Sequence, residues 1–172
     1  MQTKNKRFCR TRHPKPRMVR MITLRPLQSH EFAAFAAYFV PDYAAELVAN
    51  YGISQDAALA EATEDLALDL PQGADTPGEV LMCILLGDQV VGYLFYALNE
   101  TRHFAFIKDF HVLPPYQGNG YGTTAIDALT ALIKPQGITQ LRLRVAAKNE
   151  RAHRLYTKLG FFPTGTNMAK TF

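Results

Sequence analysis

The chain has 172 residues, of which 48% are hydrophobic and 20% charged, with a formal net charge of +4 and two cysteines. This length suits a single domain whose core needs no disulfide or metal ion. Apolar runs such as residues 80–86 are too short to span a bilayer, so no membrane partner is expected. The two cysteines and five histidines show no metal-ligand spacing, which predicts no metal site and reduced thiols in a cytoplasmic protein.

The charge is distributed unevenly along the chain. Residues 1–20 carry eight Lys and Arg and no acid, which leaves 11 basic against 15 acidic residues in the remainder. This tail lacks the apolar segment of a secretory signal. We expect it to be disordered, or to lie upstream of the true start, because residues 21–27 resemble a first strand that begins at Met21. The alternative is a nucleic-acid-binding arm, and the chain would contact nucleic acid only through this tail.

Three helical pieces are predicted to follow the first strand. Ser29 is expected to cap the first piece, Pro41 to interrupt it, and Asp42 to cap the second. Gly52 ends the second piece and Ser54 caps the third, since apolar residues recur at helical spacing after each cap.

Strands are predicted in the middle of the chain. Apolar segments at residues 79–86 and 90–98 flank Gly87-Asp88-Gln89, a pattern typical of a β-hairpin. A third apolar segment at residues 104–112 is rich in aromatic residues and predicts a buried strand. Two prolines end it, because proline cannot donate to a sheet ladder.

A glycine-rich loop follows that strand. Gly118, Gly120 and Gly122 let the backbone approach a ligand closely, and residues 123–133 have the periodicity of a helix. A strand, a glycine loop and a helix N-terminus in this order form an anion site, most often for phosphate. The loop matches no dinucleotide fingerprint, because Thr123 replaces the third glycine, and no P-loop, because no lysine follows.

The C-terminal third predicts a strand, a helix and further strands. Residues 139–145 alternate in polarity, as a strand does. Asn149 is a favourable N-cap, and Gly160 suits the position just after a helix. The apolar stripe between them is Ala152, Leu155, Tyr156 and Leu159. Residues 161–164 and 167–172 are expected to supply the last strands.

Two of these segments carry a family resemblance. Gln117-x-x-Gly120-x-Gly122 resembles the pyrophosphate-binding signature of the GNAT superfamily of N-acetyltransferases. The segment from Asn149 through Tyr156-x-x-x-Gly160-Phe161 resembles its second motif, and the closing residues 167–170 resemble an uncharacterised bacterial branch. The resemblance covers residues 21–172. It implies one α/β (α+β) domain with a mostly antiparallel mixed central sheet, splayed central strands and helices on both faces.

The resemblance also implies acetyl-CoA as the acyl-donor cosubstrate. Pyrophosphate would be held by the loop and the helix start, and the pantetheine arm would run along the end of the central strand. Asn149 matches a common CoA-contacting asparagine. The cofactor-binding residues implied in this way are Phe110, His111, Val112, Gln117, Gly118, Asn119, Gly120, Tyr121, Gly122, Thr123 and Asn149.

The catalytic residues are predicted less completely. Tyr156 matches the tyrosine that usually protonates the leaving thiolate in this superfamily. The glutamate that many relatives carry on the central strand is absent, since Phe106 and Lys108 take its place. Asp109 and His111 are the nearest candidates for the base. Strict alternation directs them to the face opposite Phe106, Lys108 and Phe110, unless a bulge changes the parity.

The resemblance therefore implies an N-acetyltransferase, and we expect it to act by direct attack in a ternary complex. The acceptor would be a primary amine of a small molecule or a peptide, and a homodimer is possible. The alternative is a GNAT-fold module that binds or senses acyl-CoA without catalysis.

Overall fold

The structure is a computed structural model that describes residues 21–170 and 172. The predictions of a disordered or upstream basic tail at residues 1–20, and of a nucleic-acid arm there, lie outside the described residues.

One five-stranded sheet forms the centre of the fold, with the strands in sequential order. Neighbouring strands are antiparallel except for the last pair, which is parallel. This confirms the predicted mixed, mostly antiparallel sheet. The strands are β1 (Ile22–Pro26), β2 (Glu79–Leu86), β3 (Gln89–Asn99), β4 (Phe104–Val112) and β5 (Gln140–Leu143).

Helices cover both faces of this sheet, as expected. They are α1 (Phe32–Tyr51), α2 (Gln55–Asp69), α3 (Tyr121–Ile133) and α4 (Glu150–Lys158). Phe35 of α1 and Leu66 of α2 pack with Phe95 on one face of the sheet. Leu129 of α3 packs with Leu94 on the other face. Successive residues of β3 therefore enter two separate cores, because side chains alternate across a strand.

The first helix differs from its prediction. Pro41 lies inside one continuous helix, so neither an interruption there nor a cap at Asp42 exists. Pro41 and Ala37, whose carbonyl loses its helical partner, are both exposed, and water can satisfy the freed group. Ser29 is not the cap either, because its hydroxyl donates to Asp75 at 2.7 Å.

The segment Ser29–Tyr51 is long and apolar enough to cross a membrane by length and composition. The expectation that every apolar run is too short overlooked this helical stretch. Core helices pass the same test. In this segment 17% of the tested window is buried, and Phe35, Ala44 and Leu47 are among the residues that pack against the rest of the fold.

The predicted caps at the other helices are confirmed. Ser54 accepts a hydrogen bond from the Ala57 N–H, and Asn149 accepts one from the Ala152 N–H at 3.0 Å. Gly160 has a φ of 85°. The Gly160 and Phe161 N–H groups bond back to Thr157 and Tyr156, the pattern of a Schellman motif.

A bulge in β4 changes the parity of that strand. Phe95 of β3 pairs with Asp109 while Tyr96 pairs with Ile107, so Lys108 is an extra residue. Strict alternation is therefore wrong here. Asp109 lies on the same face as Lys108, which sits over the Phe95 ring, and Phe110 packs into the opposite core. The bulge directs Asp109 and His111 toward α1.

The predicted last strands are absent from the described part of the C-terminal segment. Residues 161–170 contain no strand, and Thr171 is outside the described residues. Phe162 is 70% exposed and Met168 is 93% exposed. Pro163 also removes one donor that a ladder would need.

Gly92 permits the close pairing of β3 and β4. A methyl group at this position would overlap the carbonyl oxygen of His111 and approach Ile84 to 3.1 Å. We expect Gly92→Ala to lower the free energy of unfolding by at least about 2 kcal/mol, measured by urea denaturation. Gly165→Ala is the matched control, since nothing lies within 4 Å of an added methyl there. Equal effects of the two substitutions would contradict this role of Gly92.

Candidate active site

A cleft of about 430 Å³ crosses the free edge of β4. Among the described residues, β5 pairs with β4 only as far as Ile107, so the rest of this edge has no neighbouring strand. Phe110 and Val112 line the cleft from the α3 side, and His111 lines it from the α1 side. A second hollow of about 410 Å³ lies near Glu79 and contains none of the motif residues.

Most of the predicted site residues meet in this cleft. Of the predicted cofactor-binding residues, all except Asn119 line it. Of the predicted catalytic residues, Tyr156 and His111 line it. Asn119 instead holds the loop, because its amide donates to the carbonyls of Tyr116 and Gln117 at 3.1 and 3.2 Å. Asp109 does not line the cleft.

The glycine loop forms one end of the cleft. Gly118 and Gly120 have φ values of 82° and 81°, a conformation that favours glycine. Helix α3 begins at Tyr121, two residues before its predicted start, so its first N–H groups, which have no intrahelical acceptor, open onto this loop. The Gln117 amide donates to the Val112 carbonyl at 2.7 Å and ties the loop to β4.

Sequence reasoning missed several lining residues. They are Asp42, Tyr116, Arg151, Ala152 and Leu155. Arg151 donates to the side-chain oxygen of Gln117, and it is the one Lys or Arg among the lining residues. Its position in the first turn after the predicted Asn149 cap was the signal available in the sequence.

Tyr156 presents a phenol that remains protonated. Burial, reinforced by the negative charge of Asp109, raises its pKa to about 12. Its ring packs on Phe161 with centroids 5.3 Å apart. Within residues 21–170 and 172, no protein group forms a hydrogen bond with its hydroxyl. The O–H is therefore available to a ligand in the cleft.

His111 is an imidazole held between two groups of α1. Its ring lies 4.2 Å from the Tyr38 ring, between centroids, and its Nδ1 is 3.9 Å from an Asp42 carboxylate oxygen. Burial lowers the pKa of His111, the positive charge of Arg151 lowers it further, and Asp42 opposes both. The neutral form can accept a proton, and Asp42 stabilises the imidazolium that results.

Asp109 lies behind His111 and is hydrogen-bonded by Tyr38. The Tyr38 hydroxyl is 3.1 and 3.2 Å from the two carboxylate oxygens. Burial raises the pKa of Asp109 to about 7, the hydrogen bond from Tyr38 opposes this shift, and the charges of Asp42 and Glu46 add to it. Asp109 therefore changes its charge near neutral pH.

The residues 44–161 match the sequence pattern of the acetyltransferase (GNAT) family. An uncharacterized N-acetyltransferase of Bacillus subtilis, YycN, is 35% identical over 154 residues, which are 87% of this chain and 97% of YycN. The crystal structure of YycN superposes with a TM-score of 0.83 over 88% of this chain and 99% of that one. The chain belongs to the GNAT family of acetyltransferases.

Two further proteins that resemble parts of the sequence or the fold are named for their substrates. Thialysine N-epsilon-acetyltransferase of Mus musculus is 36% identical over 77 residues, which are 43% of this chain and 45% of that enzyme. Spermidine N-acetyltransferase from Vibrio cholerae, in complex with CoA and spermine, has a TM-score of 0.63 at 20% identity and covers 88% of this chain and 87% of that one. This second likeness shows the fold alone.

The raised pKa of Asp109 gives the fold a pH dependence. The unfolded carboxyl ionises near its ordinary value of 3.8, whereas the folded one holds its proton until about 7, so stability from this group falls as pH rises between these values. Asp109→Asn keeps an acceptor for Tyr38 and removes the titration. We expect the free energy of unfolding of the variant, relative to wild type, to rise by roughly 3 kcal/mol between pH 4.5 and pH 8, measured by urea denaturation. A difference that is equal at both pH values would contradict the assignment.

Proposed function

We propose that this protein transfers an acetyl group from acetyl-CoA to a primary amine by direct attack in a ternary complex. The observation that carries the proposal is that the glycine loop, His111 and Tyr156 line one cleft at the free edge of β4. The family membership supports acetyl transfer as the chemistry.

The loop fits the phosphates of CoA. A side chain added at Gly118 or Gly120 would meet no protein atom within 4 Å, so space for an anion is present above the backbone. The first-turn N–H groups of α3 and the Arg151 guanidinium supply the positive charge. The unpaired edge of β4 at Phe110–Val112, with Asn149 opposite it, suits the amide-rich pantetheine arm.

Two side chains suit the proton transfers of the reaction. Bound acetyl-CoA would supply the thioester carbonyl that the amine attacks, with a C–N bond formed and the C–S bond broken. His111 takes the proton from the amine nitrogen, and Asp42 stabilises the resulting imidazolium. Tyr156 gives its proton to the departing sulfur. Asp109 is outside the cleft, so we assign the base to His111 and not to Asp109.

The acceptor would be a small-molecule or peptide amine that carries positive charge. The carboxylates of Asp42 and Glu46 lie on successive turns of α1 beside the cleft, with exposed fractions of 57% and 40%. A relative that matches part of the chain is named for the acetylation of thialysine, which is consistent with an amine acceptor. Arg144 lies 3.8 Å from Glu46 and balances part of this negative charge.

Arg151 provides a test of the phosphate site. We expect Arg151→Gln to weaken CoA binding about tenfold, measured by isothermal titration calorimetry, because one charge-assisted contact is lost. Binding of S-acetyl-pantetheine, which lacks the nucleotide and pyrophosphate, should be unchanged. Arg154→Gln is the matched control, since Arg154 is 72% exposed on the same helix and pairs with Glu150. Equal losses for CoA and S-acetyl-pantetheine in Arg151→Gln would refute the assignment.

Tyr156 provides a test of the chemical step. We expect Tyr156→Phe to lower kcat about 100-fold with little change in CoA affinity, because only the proton donor is removed. Tyr51→Phe serves as the control, since Tyr51 is 51% exposed and outside the cleft. If Tyr156→Phe retains the wild-type kcat for acetyl transfer, Tyr156 is not the acid.

A further inference from the structure

Tyr38 of α1 occupies a fixed position between the sheet and the cleft. Its ring stacks on Tyr93 of β3 at 5.7 Å between centroids and meets the edge of Phe35 at 6.2 Å. It also lies against the His111 imidazole at 4.2 Å. Three aromatic neighbours on α1, β3 and β4 therefore restrict its rotamer.

The hydroxyl of Tyr38 joins a second group on the same strand. It donates to the carboxylate of Asp109, with both oxygens within 3.2 Å. The bulge at Lys108 places Asp109 and His111 on this face of β4, two residues apart. One tyrosine thus contacts the proposed base with its ring and an adjacent carboxylate with its hydroxyl. Tyr38 itself does not line the cleft.

We propose that Tyr38 is a positioning residue for acetyl transfer, which holds the His111 imidazole in place and keeps the adjacent Asp109 carboxylate ionised while His111 carries the proton of the amine. This inference rests on the proposed function. The bonds made and broken are those of acetyl transfer, and Tyr38 neither gains nor loses a proton.

The charges around Asp109 explain why it needs this hydrogen bond. Asp42 and Glu46 of α1 face it with negative charge and oppose its ionisation, as burial does. Among the groups that act most strongly on Asp109, the Tyr38 hydroxyl and the Phe110 N–H are the two that favour its ionised form. Tyr156 of α4 and His111 of β4 are the other titratable groups nearby.

Loss of the Tyr38 hydroxyl should therefore neutralise Asp109 at neutral pH. Lys108 cannot compensate, because its ammonium is engaged by Glu79 at 2.7 Å and Asp69 at 3.1 Å. Asp109 lies two residues from His111 on the same face of β4, so its neutralisation removes one negative charge from that face, and Asp42 remains 3.9 Å from Nδ1 of His111. Transfer would slow and would require a higher pH.

The direct experiment is a pH titration of the Asp109 carboxyl carbon by NMR in the full chain without ligand. We expect a midpoint near pH 7 in wild type and one about 1 pH unit higher in Tyr38→Phe, because a hydrogen bond to a charged group is lost. The phenylalanine keeps the ring contacts, and thermal unfolding checks that the variant is folded.

Tyr43→Phe is the matched control. Tyr43 lies on the same helix, and its hydroxyl donates at 3.1 Å to Asp65 of α2, outside the cleft. This variant should leave the Asp109 midpoint unchanged. An unshifted midpoint in Tyr38→Phe, or an equal shift in Tyr43→Phe, would overturn the proposal.

Turnover gives the second readout. In a plot of kcat against pH, the midpoint of the fall in kcat on the acidic side should rise by about 1 pH unit in Tyr38→Phe. At pH 7, kcat should be reduced about 3- to 10-fold. In an Asp109→Asn background, Tyr38→Phe should change kcat by less than about twofold, since the two residues act together. A reduced kcat with an unmoved limb would mean a purely structural role and overturn the proposal.

The two readouts separate this inference from the proposed function. The NMR titration needs no acceptor and no activity. Wild type could acetylate no amine while Tyr38→Phe shifts the Asp109 midpoint as expected. The proposed function would then be wrong, and the effect of the Tyr38 hydroxyl on the ionisation of Asp109 would be confirmed.

Discussion

The site depends on two features of β4, the point at which its pairing with β5 ends and the bulge that follows. Its pairing with β5 ends at Ile107, and the next residue, Lys108, is the bulge. The first feature exposes a strand edge for an extended ligand, and the second turns Asp109 and His111 toward α1. Without the bulge, these side chains would face α3, away from Tyr38 and Asp42, and the cleft would lack its imidazole.

Local signals in the sequence predict much of the fold. β4 has the predicted bounds of Phe104–Val112, and Ser54, Asn149 and Gly160 cap their helices as expected, because each cap depends on a few adjacent residues. Pro41 and the C-terminal segment were predicted wrongly for a non-local reason. Solvent exposure decides whether a helix tolerates a proline, and a strand needs a partner edge that its own sequence does not specify.

The candidate site also has a part that local sequence predicts and a part that depends on non-local contacts. The glycine loop and Tyr156 were predictable, since each belongs to a contiguous motif. The group around His111 was not, because it joins α1 to β4 across about 70 residues of sequence, through Tyr38 to Asp109. Strand parity depends on the bulge, which is set by how β3 pairs with β4 and not by the residues of β4 alone.

The central claim is that this cleft brings acetyl-CoA and an amine together. The most direct measurement is the release of CoA thiol from acetyl-CoA by the full chain, with a panel of mono-, di- and polyamines and lysine-like peptides. We predict amine-dependent release above the rate of hydrolysis, with greater kcat/KM for amines that carry a second positive charge. A folded chain that binds CoA but releases no thiol with any amine would contradict the claim.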